Sequence, residues 1–301
     1  QFEQRRNTFA AIYEGVLRKG WAEAESRGYG STLEMELFDD AVPPEVVHSL
    51  VEVARSAASE LQRYHRLRQQ FMGLAEYGWS DMFLPLVNPD KTYDYDKMVP
   101  KIIDSVSVLG DEYHRKMAEQ FEGDLVDVYE TPGKRSGAYN SAQYGVGSFV
   151  LLNYQGSLND VFTVAHEMGH SMHSRLSQEY QPYATHRYTI FVAEVAAILN
   201  EKLLLEHLLN AATGPRERIA LLETQLKGIA GTFFLQTMMA DYEIRAHALV
   251  EAGEGISAEI LTDLWKAVVE DHFGGLIPKD DPYFHSWARI PHLFNSPFYV
   301  Y

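Results

Sequence analysis

The sequence predicts a mainly α-helical fold with one small β-sheet. Apolar residues recur every three or four positions along most of the 301 residues, which is typical of amphipathic helices. Residues 124–154 differ from this pattern. They contain short runs of alternating polar, aromatic and β-branched residues, separated by turn signals such as Thr131-Pro132-Gly133 and by Gly145 and Gly147. We therefore expect three short strands between two sets of helices.

Four helical patterns precede the predicted sheet. Gly28-Tyr29-Gly30 ends the first pattern, and Pro43-Pro44 begins the second, because proline is tolerated in the first turn of a helix. A loop marked by Gly78 and Pro85 separates the second pattern from the third. The predicted helices are 8–24, 43–74, 95–109 and 111–121.

Four further helical patterns follow the predicted sheet. Ser157 with Asp160 three residues later forms a capping-box signal at the start of the first of them. Gly228 and Gly231 are expected to loosen the third. The predicted helices are 157–177, 188–210, 215–251 and 257–272, before a loop-rich tail over 278–301.

The composition excludes several classes of protein. A net charge of −16 is unfavourable for binding nucleic acid or an anionic membrane surface, and it favours cations such as basic peptides and metal ions. No apolar run reaches the roughly 18 residues that a membrane span needs. The chain has no cysteine, which excludes disulfides and thiolate chemistry and fits a reducing compartment, so we expect a cytoplasmic protein.

The central chemical motif is His166-Glu167-Met168-Gly169-His170, an H-E-x-x-H sequence within a predicted helix. Residues 166 and 170 lie about 40° apart around a helix and about 6 Å apart along it, so both imidazoles leave one face. They can supply two nitrogen ligands to a zinc ion, beside which Glu167 can accept a proton from water. The alternative is a helix with two hydrogen-bonded core histidines, although its apolar flanks make unpartnered imidazoles costly to bury.

Two histidines leave a tetrahedral site incomplete. The metzincin continuation fails, because it needs glycine at 173 and histidine at 176, where the chain has His173 and Leu176. Glu194 is the only charged residue in the apolar run 190–199, and a carboxylate there needs a cation to stay ionised. We therefore predict Glu194 as the third ligand. The alternative is an ion pair with a nearby basic residue: Arg175, Arg187 or Lys202.

Two neighbouring residues have open roles. His173 shares the ligand face but lies about 10 Å beyond His166 along the helix, so it is either a hydrogen-bonding neighbour of the site or a further ligand. Glu201 lies seven residues after Glu194, on the same helix face. It is either an acceptor for the N–H of a ligand histidine or a solvated acid.

Several segments resemble the zinc oligopeptidases of the thimet oligopeptidase and oligopeptidase F family, family M3, with the oligopeptidase F branch closer. The H-E-x-x-H segment and the Glu194 segment carry the resemblance most directly. Residues upstream are similar to the substrate-strand region of the family, and residues downstream to its active-site tail. The matching segments are 160–174, 191–201, 134–139, 149–156, 287–292 and 297–301.

This resemblance implies a multi-helix, zincin-like catalytic domain with its small sheet next to the H-E-x-x-H helix. It implies one Zn²⁺ per chain, held by His166, His170 and Glu194, with Glu167 as general base. It also implies that His292, Tyr299 and Tyr301 act on the oxyanion and the substrate carbonyl. The substrate-binding residues expected around them are Tyr139, Leu152, Asn153 and His173.

The domain division and partners follow from the same likeness. We expect a helical region over 1–123, part of a longer N-terminal helical half, and a zinc-binding catalytic region over 124–301. The chain lacks an initial Met and a polar tail, so we expect it to be part of a longer polypeptide whose remainder is a partner.

The function predicted is a zinc metallo-endopeptidase that hydrolyses internal bonds of short peptides. A strand over residues 149–154 would pair with the substrate main chain, which requires little sequence specificity. Two alternatives remain: a zinc carboxypeptidase of similar helical fold, and a non-catalytic peptide-binding fragment with a structural metal.

Overall fold

A computed structural model describes residues 3–87 and 91–298. It confirms the predicted fold class, a mainly helical chain with one small sheet. In chain order, the α-helices of this part are α1 Arg6–Arg27, α2 Thr32–Leu37, α3 Pro44–Ser56, α4 Ala58–Met72, α5 Tyr95–Ser105, α6 Asp111–Glu122, α7 Leu158–Tyr180, α8 Ile190–Ala211, α9 Pro215–Ile229, α10 Gln236–Glu251, α11 Ala258–Phe273 and α12 Pro291–Asn295. The strands are β1 Val126–Asp127, β2 Tyr139–Gln143 and β3 Gly147–Leu151.

Short helical turns of other types complete the secondary structure. A π-helical turn, Ala230–Leu235, joins α9 to α10, close to Gly228 and Gly231, where loosening is predicted. The tail that is predicted to be loop-rich contains a 3₁₀ helix and α12. The 3₁₀ helices are Glu3–Arg5, Trp79–Phe83, Ser107–Leu109 and Pro282–Arg289.

The segment predicted as one helix over 43–74 is two helices. Helix α3 ends at Ser56, and Ala57 has φ −87° and ψ 2°, outside the helical range. The buried positions continue every three or four residues through the break, so the periodicity of the sequence does not reveal it. These positions are Val47, Val51, Ala54, Ala58, Leu61, His65 and Arg68.

The chain packs as two compact units. The first unit comprises residues 1–86 and 226–301, and the second comprises residues 87–225. The predicted division at residue 123 does not coincide with this grouping, because α5 and α6 share the hydrophobic core of the second unit. Met98, Ile102 and Met117 from these helices are buried in that core, together with Met168 of α7 and Leu204 of α8.

The second unit contains the predicted three-stranded sheet. The strand order is β1-β3-β2, with β1 parallel and β2 antiparallel to β3. Helix α7 packs against β2 and β3. The expected position of the sheet, next to the H-E-x-x-H helix, is therefore confirmed.

The predicted capping box begins α7. The Ser157 hydroxyl accepts a hydrogen bond from the Asp160 backbone N–H at 3.1 Å, and the Asp160 carboxylate accepts one from the Ser157 N–H at 2.9 Å. These bonds satisfy backbone donors that the helix itself leaves unpaired. They fix the start of the helix that carries residues 166–170.

Within residues 3–87 and 91–298, no helix combines the length and the apolar character that crossing a membrane requires.

Candidate metal centre

Helix α7 has one face in the core and another facing α8. Val161, Val164, Met168 and Met172 are almost fully buried, because the sheet and α5 cover that side of the helix. The side chains of His166 and His170 are on the side of the helix that faces α8, and they are 25% and 16% exposed. The core therefore orients the helix, while its metal-binding groups stay accessible.

Gly169 lets α7 and α8 approach closely. A Cβ at this position would lie 2.6 Å from the Ala197 Cα and 2.7 Å from the Ala196 carbonyl oxygen, both backbone atoms of α8. Glycine is unfavourable in the middle of a helix by about 1 kcal/mol relative to alanine. Here it allows the contact between the two helices that carry the candidate ligands.

Three ligand atoms converge between these helices. The Nε2 atoms of His166 and His170 lie 3.2 Å apart. One carboxylate oxygen of Glu194 lies 3.3 Å from the His166 Nε2, and the other lies 3.4 Å from the His170 Nε2. Among the described residues, these three form the group of histidine and acidic side chains able to hold a metal ion.

The spacing fits a zinc ion. Bonds of about 2.0–2.1 Å to a tetrahedral ion place the ligand atoms about 3.3–3.4 Å from one another. The three observed separations, 3.2, 3.3 and 3.4 Å, agree with this value. Two imidazoles and one carboxylate are also a donor set that zinc accepts at catalytic sites, with the fourth position left open.

Glu201 orients the first histidine. Its carboxylate accepts a hydrogen bond from the Nδ1–H of His166 at 2.6 Å. The lone pair of the other ring nitrogen, Nε2, is then available to a metal ion. Burial lowers the pKa of His166, but the hydrogen bond and negative charge of Glu201 and the charge of Glu194 outweigh it and raise the pKa. A proton therefore competes with a cation for His166, and binding of the cation would release it.

Glu194 is an anion at this position. The hydrogen bond with His170 lowers the pKa of its carboxyl, more than burial raises it, and the charges of both histidines lower it further. The side chain is 54% exposed, and within the described residues it forms no ion pair with Arg175, Arg187 or Lys202. A carboxylate held ionised beside two imidazoles is suited to cation binding.

Glu167 lies in a buried environment beside the cluster. Its side chain is 6% exposed, and burial raises the pKa of its carboxyl. One oxygen has no hydrogen-bond partner in the described structure, and the backbone N–H of Asn140 on β2 lowers the pKa of the carboxyl, against the larger effect of burial. A buried carboxylate oxygen without a partner is able to accept a proton.

His173 lies one turn beyond His170 and does not join the three converging atoms. Its ring stacks on the ring of Tyr188, with centroids 3.7 Å apart, and burial lowers the pKa of its imidazole. The Tyr188 hydroxyl is 2.9 Å from the hydroxyl of Ser174. His173 therefore has a fixed ring next to the cluster, and its role in binding substrate stays a prediction.

The sheet residues expected to bind substrate have different environments. Tyr139 on β2 is 44% exposed, whereas Leu152 is 1% exposed and packs in the core. Asn153 uses its side-chain amide to donate to the carbonyl oxygens of Arg135 and Gly137, so it holds the loop before β2. Their roles in binding substrate stay predictions.

The expectation that a strand over residues 149–154 extends its edge with a peptide is wrong for Val150 and Leu151, because both pair with a strand on each side. Strand β3 is the central strand, with β2 paired along Gly147–Leu151 and β1 paired along Val150 and Leu151. The outer edge of β2 has no neighbouring strand within the described residues, and the N–H of Asn140 on β2 lowers the pKa of Glu167.

The predicted residues of the tail do not belong to the second unit. His292 is in α12 of the first unit and is exposed, so the second unit alone does not contain it. Tyr299 and Tyr301 lie outside the described residues.

The mainly helical fold, with a small sheet beside an H-E-x-x-H helix, is of the zincin-like class. The sequence model of peptidase family M3 matches residues 1–301, so the chain belongs to that family. The resemblance seen in the sequence is thereby confirmed.

Relatives and solved structures agree with this family. An oligoendopeptidase F homologue of Lactococcus lactis is 37% identical over 301 residues, which are all of this chain and 50% of that protein. Oligopeptidase PepF of Bacillus subtilis is 36% identical over all of this chain and 45% of its own length. The crystal structure of oligoendopeptidase F from Enterococcus faecium matches 99% of this chain and 46% of its own with a TM-score of 0.73 at 26% identity. The chain thus spans about half the length of these relatives.

Several contacts of the site have no simple signal in the sequence. The stacking of Tyr188 on His173 and the effect of the Asn140 N–H on the pKa of Glu167 depend on elements that are distant in sequence. Gly169 could have been singled out, because a glycine in the middle of a predicted helix suggests a packing reason.

We expect Gly169→Ala to separate the two helices and weaken zinc binding. The added methyl group would meet the backbone of α8, and overpacking of this kind costs about 1–3 kcal/mol of stability. Thermal unfolding and a competitive zinc titration measure both effects. Gly15→Ala in α1 is the control, because a Cβ there meets nothing within 4 Å; equal zinc affinity of the two variants would contradict the prediction.

Proposed function

We propose that this chain is the catalytic portion of a zinc-dependent oligopeptidase that cleaves internal bonds of short peptides. The observation that carries the proposal is the convergence of the His166, His170 and Glu194 ligand atoms at separations of 3.2–3.4 Å. Membership of peptidase family M3 supports it, and the relatives named oligoendopeptidase support the preference for short peptides.

The proposed mechanism uses a bound zinc ion together with the buried carboxylate of Glu167. Zinc, when bound by the three side chains, supplies Lewis acidity and lowers the pKa of water to about 7. Glu167 accepts the proton of the attacking water on its unpartnered oxygen and passes it to the leaving amine. The backbone N–H of Asn140 favours the ionised form of Glu167, which is the form that accepts a proton.

The oxyanion and the substrate need further donors. We propose His292, Tyr299 and Tyr301 for this role, on the basis of their family resemblance alone. The loss of one such donor typically costs about 3 kcal/mol, or a hundredfold or more in rate.

The substrate main chain is proposed to lie along β2. The outer edge of an end strand has unpaired backbone groups that an extended peptide can use, with little demand on its sequence. Tyr139 is exposed on this strand, and His173 lies beside the cluster on α7. The proposed partners are therefore short peptides, together with the rest of the polypeptide, and a cytoplasmic location remains a prediction.

Metal analysis combined with product mapping tests this function. We expect one zinc per chain, loss of hydrolysis on chelation with recovery on adding zinc, and internal fragments from a mixed peptide pool. Release of single C-terminal residues would instead indicate a carboxypeptidase. Stoichiometric zinc without turnover, with unfolding on chelation, would indicate a peptide-binding protein with a structural metal.

A further inference from the structure

A pocket in the second unit follows α7 beyond the metal-binding turn. It has a volume of about 270 Å³ and is lined by β2, the second half of α7 and the segment before α8. Ser174, on its wall, lies one turn after His170, about 6 Å along the helix, and Gln178 lies one turn further. An extended peptide advances about 3.3 Å per residue, so the pocket lies within two to four residues of the candidate site.

The size of the pocket suits one group of a peptide. Sites for drug-sized ligands usually have about 300–1,000 Å³, so about 270 Å³ is room for a side chain or a chain terminus. Asn140 and Ala142 of β2 form one wall. A peptide on the outer edge of β2 would therefore place a side chain or its end here.

Arg187 gives the pocket its charge. None of the lining residues is acidic, although the chain has 42 acidic and 26 basic residues. Arg187 is exposed and makes no ion pair or hydrogen bond within residues 3–87 and 91–298. His186, also on the wall, is held by a bond of 2.7 Å between its Nδ1 and the Tyr183 carbonyl oxygen.

The surroundings of Arg187 favour an anion in two further ways. Helix α8 begins at Ile190, three residues after Arg187, and its N-cap residue Thr189 makes no side-chain capping bond, so the positive end of the helix dipole is not neutralised there. Tyr188, next in the chain, is fixed by its stacking on His173 and its contact with Ser174. The backbone of Arg187 is therefore held close to the candidate site.

We propose that Arg187 binds a carboxylate of the peptide substrate and makes this pocket a subsite for acidic groups. The guanidinium presents two parallel N–H donors, which match the two oxygens of a carboxylate. An acidic protein repels acidic peptides in general, so this pocket would reverse that preference locally. The carboxylate belongs either to an aspartate or glutamate side chain or to the C-terminus of the peptide. The proposal rests on the proposed peptidase function.

The test uses zinc-loaded protein and two sets of quenched peptides. In the first set, C-terminally amidated peptides carry Glu or Gln at each of three positions on either side of the cleaved bond. In the second set, a neutral peptide ends in a free carboxylate or in an amide. For the wild type, we expect kcat/KM to be about fivefold higher for the acidic member of one pair. Arg187→Gln should bring this ratio to about 1 by raising KM for the acidic peptide only.

Two variants control for other effects. Arg187→Lys keeps the charge but loses the two-donor geometry, so its ratio should be intermediate. Arg63→Gln removes the same charge from an 82% exposed arginine outside the pocket and should keep the wild-type ratio. If the Glu peptide is preferred over the Gln peptide in the first set, the subsite binds an acidic side chain. If the free carboxylate is preferred over the amide in the second set, the subsite binds the C-terminus of the peptide.

The proposal is overturned if the wild type shows no preference in either set, or if Arg187→Gln keeps it. If the wild type cleaves none of the peptides, the peptidase function fails separately. In that case, the affinities of fluorescent acidic and neutral peptides for the wild type and for Arg187→Gln test whether the subsite exists. Equal affinities of the wild type for the acidic and the neutral peptide would reject it.

Discussion

Glu167→Gln is expected to reduce peptide hydrolysis by about 10²–10⁴-fold, the usual contribution of a general base. The amide has nearly the same shape as the carboxylate, so it should fit the same buried environment on α7. It cannot accept a proton from water. Because Glu167 is not among the three converging side chains, zinc content should stay at one ion per chain.

The measurements are steady-state cleavage of a quenched oligopeptide and metal analysis of the same sample. Glu206→Gln is the matched control, because Glu206 is exposed on α8 and is not one of the candidate ligands. Unchanged kcat/KM in the Glu167→Gln variant would exclude Glu167 as the base. Loss of zinc would instead mean that Glu167 is needed to hold the metal.

Glu194→Gln is expected to weaken zinc binding by more than about 100-fold. Replacing a residue that only hydrogen-bonds to a metal ligand costs about 10–100-fold in affinity, and Glu194 is proposed as a ligand itself. The substitution removes the only anionic member of the cluster and leaves two imidazoles. Hydrolysis at limiting zinc should fall in parallel. Part of the lost activity should return at high zinc concentration, because the histidines and Glu167 remain.

A competitive titration with a zinc-binding dye measures this affinity, again with Glu206→Gln as control. Far-ultraviolet circular dichroism shows whether the variant keeps its helices. A Glu194→Gln protein with wild-type zinc affinity would mean that Glu194 is not a ligand, whatever its distance from the histidines.

The local signals of the sequence predict much of the second unit. The capping box of Ser157 and Asp160 and the helical spacing of residues 166 and 170 depend on neighbours in sequence, and both appear in the structure. Glu194 is predicted as a ligand from the cost of an isolated carboxylate in an apolar run. Its position 3.3–3.4 Å from the two histidines is consistent with that interpretation.

Features that depend on long-range packing are not predictable in this way. The order of the strands, with β3 in the centre, follows from the parallel pairing of Val126 with Val150, which no local pattern specifies. The break at Ala57 has neither glycine nor proline to mark it, and burial keeps the same period on both sides. The contact of Gly169 with Ala197 requires that α7 and α8 pack together.

X-ray absorption at the zinc edge of the loaded protein tests most directly whether these side chains hold the ion. We expect two imidazole nitrogens at about 2.0–2.1 Å with one carboxylate oxygen and one water oxygen at similar distances. The imidazole signal should fall by half in His170→Ala. A spectrum without imidazole scattering, or one that His170→Ala leaves unchanged, would contradict a metal centre at this place.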